Sequence, residues 1–423
     1  MSYYSVKRVF INPIKMRFTI FILVLLVIDF YSFQAVKLIV QDWSMLAKNI
    51  AYGFFWGMTA FSVFYLLAHN WGWADGWSKN METYSRTVVF IIYISKFLIV
   101  PMLLIDDLRR LTMWVAQRVN GDPNFDISRS KFLSKMGVFF GAIPFFTLSY
   151  GILRNPYRYK LFQQTIGIKG LSPKLAGLKI VQISDIHSGS FTFKDPVKNA
   201  IDIINAQKPD LVFFTGDLVN DHAEEMADYM DVFDKIEAKY GVYSVLGNHD
   251  YGDYHRWKNA EEKEANLENL KEIHKKLGWN LLMNEHRILD INDEKVAVIG
   301  VENYSALPQF PKMGRLADAH QGSDGVNVKL LLSHDPSHWD LQIVPEFKDI
   351  HVTFSGHTHG FQFGVEIPGW IKWSPAQFMY KQWAGLYQQG EQFLYVNRGL
   401  GFLGYPGRVG ILPEVTLIDL QPA

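Results

Sequence analysis

The sequence predicts a bundle of four membrane-spanning α-helices followed by an α/β domain. Two observations carry that expectation. Four long apolar stretches follow one another within residues 1–153, and from residue 178 short apolar runs alternate with helix-periodic ones. The stretches fall at 18–40, 50–69, 87–105 and 136–153, each close to the roughly 20 residues of helix that a bilayer core requires. The second has no Asp, Glu, Lys or Arg inside it; the first holds Asp29 and Lys37, the third Lys96 and Pro101, and the fourth Pro144. A soluble-core helix would explain any one of them alone. Four in succession, with Trp71, Trp73 and Trp77 after the second, read as spans flanked by interfacial tryptophans. A cleavable signal peptide would account for the first only.

Composition narrows the chemistry. The 42 basic and 42 acidic residues balance, whereas nucleic-acid binding usually shows a basic excess; no nucleic-acid partner is expected. There is no cysteine, which excludes disulfides and thiolate metal sites. Any metal is held by His, Asp, Glu or Asn, a set suited to hard or borderline cations. Four spans put both ends of the module on one side of a cell membrane, and the loops there carry ten basic residues against eight opposite. The positive-inside rule on that count favours a cytoplasmic domain after the spans.

Residues 154–177 are polar and turn-rich and read as a linker, leaving 178–423 as the soluble domain. Runs at 178–184, 211–215, 242–246, 295–300, 329–333, 351–355 and 414–420 read as strands, and 195–207, 224–239 and 257–277 as helices. In α/β domains the loops at strand ends carry function.

Five of those loops carry metal-capable groups in order: Asp185-Ile186-His187, Gly216-Asp217, Gly247-Asn248-His249-Asp250, His334-Asp335, and Gly356-His357-Thr358-His359. A lone Asp or His after a strand is ordinarily a turn or cap residue. On an extended chain residues i and i+2 share a face, so Asp185 and His187 can point together, as can His357 and His359. Five such groups at strand ends, in this order, point to a metal site.

These motifs resemble the calcineurin-like metallophosphoesterase superfamily, over about 178–420. Residues 385–387 (Gly-Leu-Tyr) and 396–401 (Val-Asn-Arg-Gly-Leu-Gly) are similar to its membrane-associated bacterial branch, the YkuE-type and YaeI-type phosphodiesterases. The resemblance implies an αββα fold, two β-sheets sandwiched between helices. It also implies two divalent metal ions (Mn, Fe, Zn or Mg). Asp185, His187, Asp217 and His359 would hold one, and Asp217, Asn248, His334 and His357 the other, with Asp217 bridging. The implied activity is hydrolysis of a phosphodiester or pyrophosphate bond by metal-activated hydroxide, with His249 as general acid or charge stabiliser. Many members carry a carboxylate three residues after the bridging aspartate to orient that histidine. Here the position is Asn220, and Asp250 or Asp221 is the candidate substitute.

Three further expectations concern the substrate. Arg398 and Arg408 suit bidentate phosphate binding as well as structural ion pairs. The segment 361–383 mixes Phe361, Phe363, Trp370, Trp373, Phe378, Tyr380 and Trp383 with Lys372 and Lys381. Such a mixture suits a lipid headgroup interface, with Trp370 and Trp373 as substrate contacts, or equally aromatics packed under a loop. Four spans exceed what tethering needs, so a membrane lipid or lipid-linked phosphoester is the expected partner. His222, His255, His274, His286, His320, His338 and His351 match no motif and read as surface or packing residues. Two rivals stand beside the enzyme. One is a non-catalytic membrane receptor or scaffold on the same fold, which the complete ligand set disfavours. The other is a transporter, supported only by intramembrane Asp29 and Lys96 and disfavoured by the absence of an internal repeat.

Overall fold

The computed structural model describes residues 13–120, 128–367 and 369–423. The chain divides into two compact units, Met1–Ser149 and Tyr150–Ala423. Lys7 and Arg8, which enter the basic count above, lie outside the described residues.

The first unit is built on four helices long and apolar enough to cross a membrane: α1 (Pro13–Ile39), α2 (Met45–Asn70), α3 (Lys79–Asn120) and α4 (Lys131–Arg154), whose last turn enters the second unit. Ser44 caps α2 by accepting from the Ala47 amide at 3.3 Å. The third helix runs well past the expected 87–105. Beyond Ile105 the pairs Asp106–Arg109 and Asp107–Arg110, both at 2.9 Å and spaced i,i+3, support continued helix. Pro101 and Pro144 sit inside α3 and α4 without ending them.

Inside this bundle Asp29 and Lys96 are both buried, and the ammonium meets the Asp29 carboxylate directly. Lys96 also donates to Thr59 Oγ1 at 3.0 Å, Tyr93 donates to Asp29 Oδ2 at 3.1 Å, and the Phe55 ring lies 4.5 Å from the ammonium. Each charge thus finds a partner of opposite sign and a neutral hydrogen-bonding neighbour, as an apolar medium demands.

The second unit opens with β1 (Lys160–Ile168), β2 (Leu178–Ile183), α5 (Asp195–Ala206), β3 (Leu211–Phe214), a one-turn α6 (Met230–Phe233), β4 (Val242–Ser244), α7 (Ala260–Lys276) and β5 (Trp279–Leu281). It continues with β6 (Glu285–Ile291), β7 (Glu294–Gly300), β8 (Val328–Leu332), β9 (Val352–Ser355), β10 (Val365–Ile367), β11 (Ile371–Trp373), β12 (Gly385–Gln389), β13 (Gln392–Val396) and β14 (Glu414–Pro422). Two six-stranded sheets form, ordered β1-β14-β2-β3-β4-β5 and β12-β13-β9-β8-β7-β6, and β10 pairs with β11 as a separate hairpin. Period-two alternation explains the layering. Ile180, Leu211 and Phe213 pack against Val298, Leu330 and Phe354 of the other sheet, while Val181, Val212 and Phe214 join Val197, Ile201 and Leu270 of the helices on the first sheet's outer face. Trp339 and Ile343 cover the second sheet's outer face.

Strands β2, β3 and β4 are parallel, as are β8 and β9, so within each sheet the loops that follow these strands leave from the same edge.

Two sequence expectations are corrected. Residues 154–177 are not simply a linker: β1 lies there, pairing in parallel with β14 from Lys160↔Glu414 to Ile168↔Pro422. Its half-exposed, polar-interrupted pattern hid it. The helix expected at 224–239 is broken into short turns around α6. Asn205 takes the Lys235 carbonyl at 2.7 Å and the Glu237 amide at 3.0 Å, groups a continuous helix would have used itself. Met226, Val232 and Phe233 nonetheless enter the core.

Removing one member of the intramembrane pair leaves the other charge buried and alone, at about 3–5 kcal/mol. Asp29→Asn and Lys96→Met are each expected to lower the thermal stability of the protein in detergent. The double variant is expected to lose less than the sum of the two. Strict additivity in the unfolding midpoints would show that the two side chains do not act as a pair.

Candidate metal centre

Asp217 stands at the middle of the site. Its Oδ2 lies 3.2 Å from His334 Nε2 and 3.6 Å from His187 Nε2, and its Oδ1 accepts the His249 amide at 2.9 Å. On one side of it Asp185, His187 and His359 converge: the Nε2 atoms of the two histidines are 3.1 Å apart, and His359 Nε2 is 3.1 Å from Asp185 Oδ1. On the other side His334 Nε2 is 3.2 Å from Asn248 Oδ1 and 3.1 Å from His357 Nδ1. The sets Asp185–His187–His359 and Asp217–His334–His357 each bring their ligand atoms within 4.8 Å of one another. All seven residues singled out as metal ligands are therefore brought to one place.

The hydrogen bonds around this cluster decide which atoms face inward. His334 Nδ1 donates to the Thr215 carbonyl at 2.7 Å, which aims its Nε2 inward. Asn248 donates through Nδ2 to the Tyr254 hydroxyl at 2.9 Å, which turns its Oδ1 inward. His357 engages the Tyr380 hydroxyl through Nε2 at 2.7 Å, with Asp335 Oδ2 at 3.6 Å, and directs Nδ1 toward the centre. Imidazole nitrogens, an amide oxygen and carboxylate oxygens thus crowd together at about 3 Å. Such crowding needs positive charge between the atoms, as imidazole protons or as a cation. The residues fit divalent cations by donor type and by crowding.

The electrostatics say the same. Burial alone would lower the pKa of His334, but the carboxylates of Asp217 and Asp185 push it up to about 10. Burial pushes His187 well down and His357 down. Asp217 is held well below the usual carboxylate range against its burial, chiefly by His334 and His249. With the carboxylates ionised, the pocket draws positive charge to its centre.

Beside the cluster, the His249 ring packs at 4.9 Å from His187 and 4.3 Å from Tyr254, and its Nδ1 donates to the backbone carbonyl of Asn220 at 2.6 Å. This corrects the expected orienting group. The Asn220 side chain bonds Ser190 instead, so its backbone oxygen does the holding. Asp250 does not touch His249 through its carboxylate. Its oxygens accept the amides of Gly247 at 2.8 Å, Asp217 at 2.9 Å, Leu218 at 2.8 Å and Val219 at 3.3 Å. Burial raises the Asp250 pKa, and Asp217 adds to that. The four amides oppose both, and a protonated oxygen would have to face an N–H, so the geometry accommodates the carboxylate.

The proposed substrate arginines are engaged elsewhere. Arg398 is buried and pairs with Glu366 at 2.6 Å and Glu414 at 2.5 Å. Arg408 is fully buried and donates to the carbonyls of Arg398, Gly399 and Gly401, approaching His359 Nδ1 at 3.3 Å. Neither presents a free edge to a phosphate. Trp370 and Trp373 sit on the β10–β11 hairpin and do not line the metal pocket. Lys372 is bound to the Ala384 carbonyl and Lys381 lies 3.6 Å from Asp340. Sequence reasoning missed Tyr254, and it read Tyr380 as an interface aromatic and Asp335 as part of a metal-capable motif; these three brace Asn248 and His357. Tyr254 lies five residues after His249, and that proximity was the only signal.

Comparison with known proteins fits this geometry. Residues 16–156 match the family model described as "Probable Calcineurin-like phosphoesterase, transmembrane domain", and residues 178–361 match "Calcineurin-like phosphoesterase". The chain is a calcineurin-like phosphoesterase. It belongs to the membrane-associated branch of a family that uses divalent metals, and it is a metal-dependent phosphoesterase and a membrane protein. It is 29% identical over 306 residues to the metallophosphoesterase YkuE of Bacillus subtilis, covering 70% of this chain and 98% of that one. YkoQ of the same organism is 27% identical over 267 residues, covering 62% of this chain and 91% of its own. A zebrafish (Danio rerio) transmembrane protein with a metallophosphoesterase domain is 26% identical over 283 residues, covering 65% of this chain and 60% of that protein.

In this phosphoesterase Asp250 fixes the turn that presents Asp217. Asp250→Asn replaces one acceptor oxygen with an amide facing backbone N–H groups. The expected cost is about 2–3 kcal/mol, the range for a lost hydrogen bond to a charged group, with a fall in bound metal measured by elemental analysis. Unchanged melting and metal content would show that the turn holds without this carboxylate.

Proposed function

We propose that the domain hydrolyses phosphodiester or pyrophosphate bonds in a lipid-linked or amphiphilic substrate, with two divalent cations held by the seven converging side chains. The convergence of metal-capable side chains in two groups on either side of Asp217 carries the two-metal part of the reading. Asp185, His187 and His359 would hold one cation and Asn248, His334 and His357 the other, with Asp217 placed between the two groups. Mixed nitrogen and oxygen donors suit Mn, Fe, Zn or Mg. Two such cations supply Lewis acidity at the phosphoryl oxygens and bring the acidity of a bound water near neutrality.

The chain's own residues do the rest. His249 lines the pocket, and with Nδ1 tied to the Asn220 carbonyl its Nε2 is the nitrogen free to face substrate. A proton on Nε2 is then positioned for the leaving oxygen. The stack with Tyr254 fixes the plane of the ring. A backbone carbonyl compensates imidazolium charge less than a carboxylate would, so this histidine depends more on position than on a charged partner.

The lipid part rests on the pocket's rim. Phe310, Phe361, Met379 and Leu403 line the pocket with the metal-site residues, so one wall is apolar. Phe361 and Met379 are also exposed, and they run on into exposed Phe363, Ile367, Trp370, Ile371 and Phe378. Trp370 and Phe378 are 81% and 78% exposed, too open to be packing beneath a loop. A contiguous apolar strip leading from a reaction pocket marks a surface that binds something apolar.

His249→Ala is expected to lower kcat by about 10²–10⁴-fold on a generic phosphodiester, with both metals retained; loss of a metal would make His249 a ligand instead. Exchanging Trp370 and Phe378 for Ser removes exposed rings only. KM is expected to rise several-fold for a lipid-linked phosphodiester and to stay the same for a small soluble one. An equal effect on both substrates would end the case for an apolar tail.

A further inference from the structure

Besides the metal pocket, the described residues form a second polar concavity, at the end of the helix bundle where α1 gives way to α2 and α3 to α4. Two adjoining clefts of about 500 and 380 Å³ share Leu38, Gln41 and Arg129. Five basic side chains line them: Lys37, Lys48, Arg109, Arg129 and Lys131. The acids nearby sit behind the guanidinium groups rather than in the clefts. Asp106 is fully buried, accepts Arg109 Nε at 2.9 Å and the Ser130 amide at 3.1 Å, and lies 3.8 Å from Arg129 Nη1. Asp107 accepts Arg129 Nη2 at 2.8 Å and the Tyr31 hydroxyl at 2.5 Å. Arg109 Nη2 donates to the Ser128 carbonyl at 2.6 Å.

From this we propose that the loop end of the bundle holds a site for a phosphate-bearing anion, with an anionic phospholipid headgroup or a free phosphate as its source. Basic residues at the ends of spans ordinarily snorkel from the rim and set topology. They do not ordinarily converge on a cleft with two guanidinium groups held by one buried and one half-buried carboxylate, Asp106 and Asp107. Pinning spends the ordering cost before a ligand arrives. Arg129 Nη1 is buried 3.8 Å from Asp106 Oδ2 and makes no hydrogen bond among the described residues, so this guanidinium keeps unspent donor capacity beside the clefts it lines. Among the described residues, Lys37 and Lys48 form no ion pair and Lys131 pairs with the exposed Asp42 alone, at 3.1 Å. Among the described residues, these five cations stand against three carboxylates, those of Asp42, Asp106 and Asp107. Guanidinium groups accept phosphate oxygens in pairs, and Gln34, Gln41 and Tyr52 offer hydrogen bonds for glycerol or sugar hydroxyls. Lys37 lies two residues before the end of α1, the depth at which a headgroup sits, and basic pockets between spans are a recurring form of lipid headgroup site.

The test uses the full chain in detergent, with phosphatidylglycerol, phosphatidylcholine and inorganic phosphate as probes, read by native mass spectrometry and thermal shift. Phosphatidylglycerol is expected to be retained at least tenfold more tightly than phosphatidylcholine. Lys37→Gln with Lys48→Gln is expected to weaken it about tenfold or more, at roughly 1 kcal/mol per basic residue near the surface, without changing the melting point in the absence of lipid. Arg129→Gln is expected to weaken it further, with folding followed separately because its aspartate partners are left behind. Inorganic phosphate that stabilises the protein and displaces the lipid at millimolar concentration would assign the site to a soluble anion; phosphate without effect assigns it to the headgroup. Equal retention of the two lipids with no effect of phosphate, or phosphatidylglycerol binding indifferent to the lysine substitutions, overturns the proposal.

Discussion

The metal centre depends on a backbone constraint. Asp185, His187, Asp217, His357 and His359 all have positive φ, at 50°, 46°, 60°, 72° and 49°. Residues with side chains avoid that region, and each instance costs of order 1–3 kcal/mol unless the surroundings impose it. The surroundings do so here with two buried carboxylates. Asp250 gathers the amides of Gly247 and residues 217–219, and Asp185 accepts the His357 amide at 3.0 Å. Glycines allow the close approach. A Cβ on Gly247 would stand 2.2 Å from Asp217 Oδ1, and one on Gly356 would stand 2.2 Å from Asp185 Oδ2. The left-handed turns swing side chains from separate strands of both sheets onto one point, and the folded protein keeps acceptors crowded there.

The same arithmetic governs both units. In the bundle, a lone Asp29 or Lys96 would be costly in an apolar medium, and the two meet, with Thr59 and Tyr93 completing the shell. In the phosphoesterase domain the acidic cluster has, among the described residues, histidines beside it rather than a lysine or arginine pairing with its carboxylates. His334 alone, drawn to high pKa by two carboxylates, shows how strongly the site favours positive charge. A charge balanced within the chain serves structure; one left for a cation serves chemistry.

Most of this was legible in the sequence because the signals were of the kind that period and spacing transmit. Four apolar stretches gave four helices, and the strand-end motifs gave the residues around Asp217. What escaped had no local signature. The extension of α3 rests on i,i+3 ion pairs past the apolar window, and β1 is a strand because β14, some 250 residues later, pairs with it. Asn220 read as a departure needing a carboxylate substitute because sequence lists side chains, whereas the group that meets His249 is its carbonyl. Arg398 and Arg408 looked available to phosphate because Glu366 and Glu414, and the carbonyls of residues 398–401, are brought to them only by the fold. Tyr254 went unseen, and Tyr380 was read as an interface aromatic, for the same reason.

The central claim is that side chains on two sheets converge on a pair of cations with Asp217 between them. Anomalous diffraction from crystals of the full chain grown with Mn²⁺, with elemental analysis of the same preparation, tests it most directly. The account predicts two manganese peaks per chain about 3.5–4 Å apart, the spacing of two-metal sites. One peak should lie among Asp185, His187 and His359, the other among Asn248, His334 and His357, with Asp217 touching both. A single peak, or two peaks that Asp217 does not join, would contradict it.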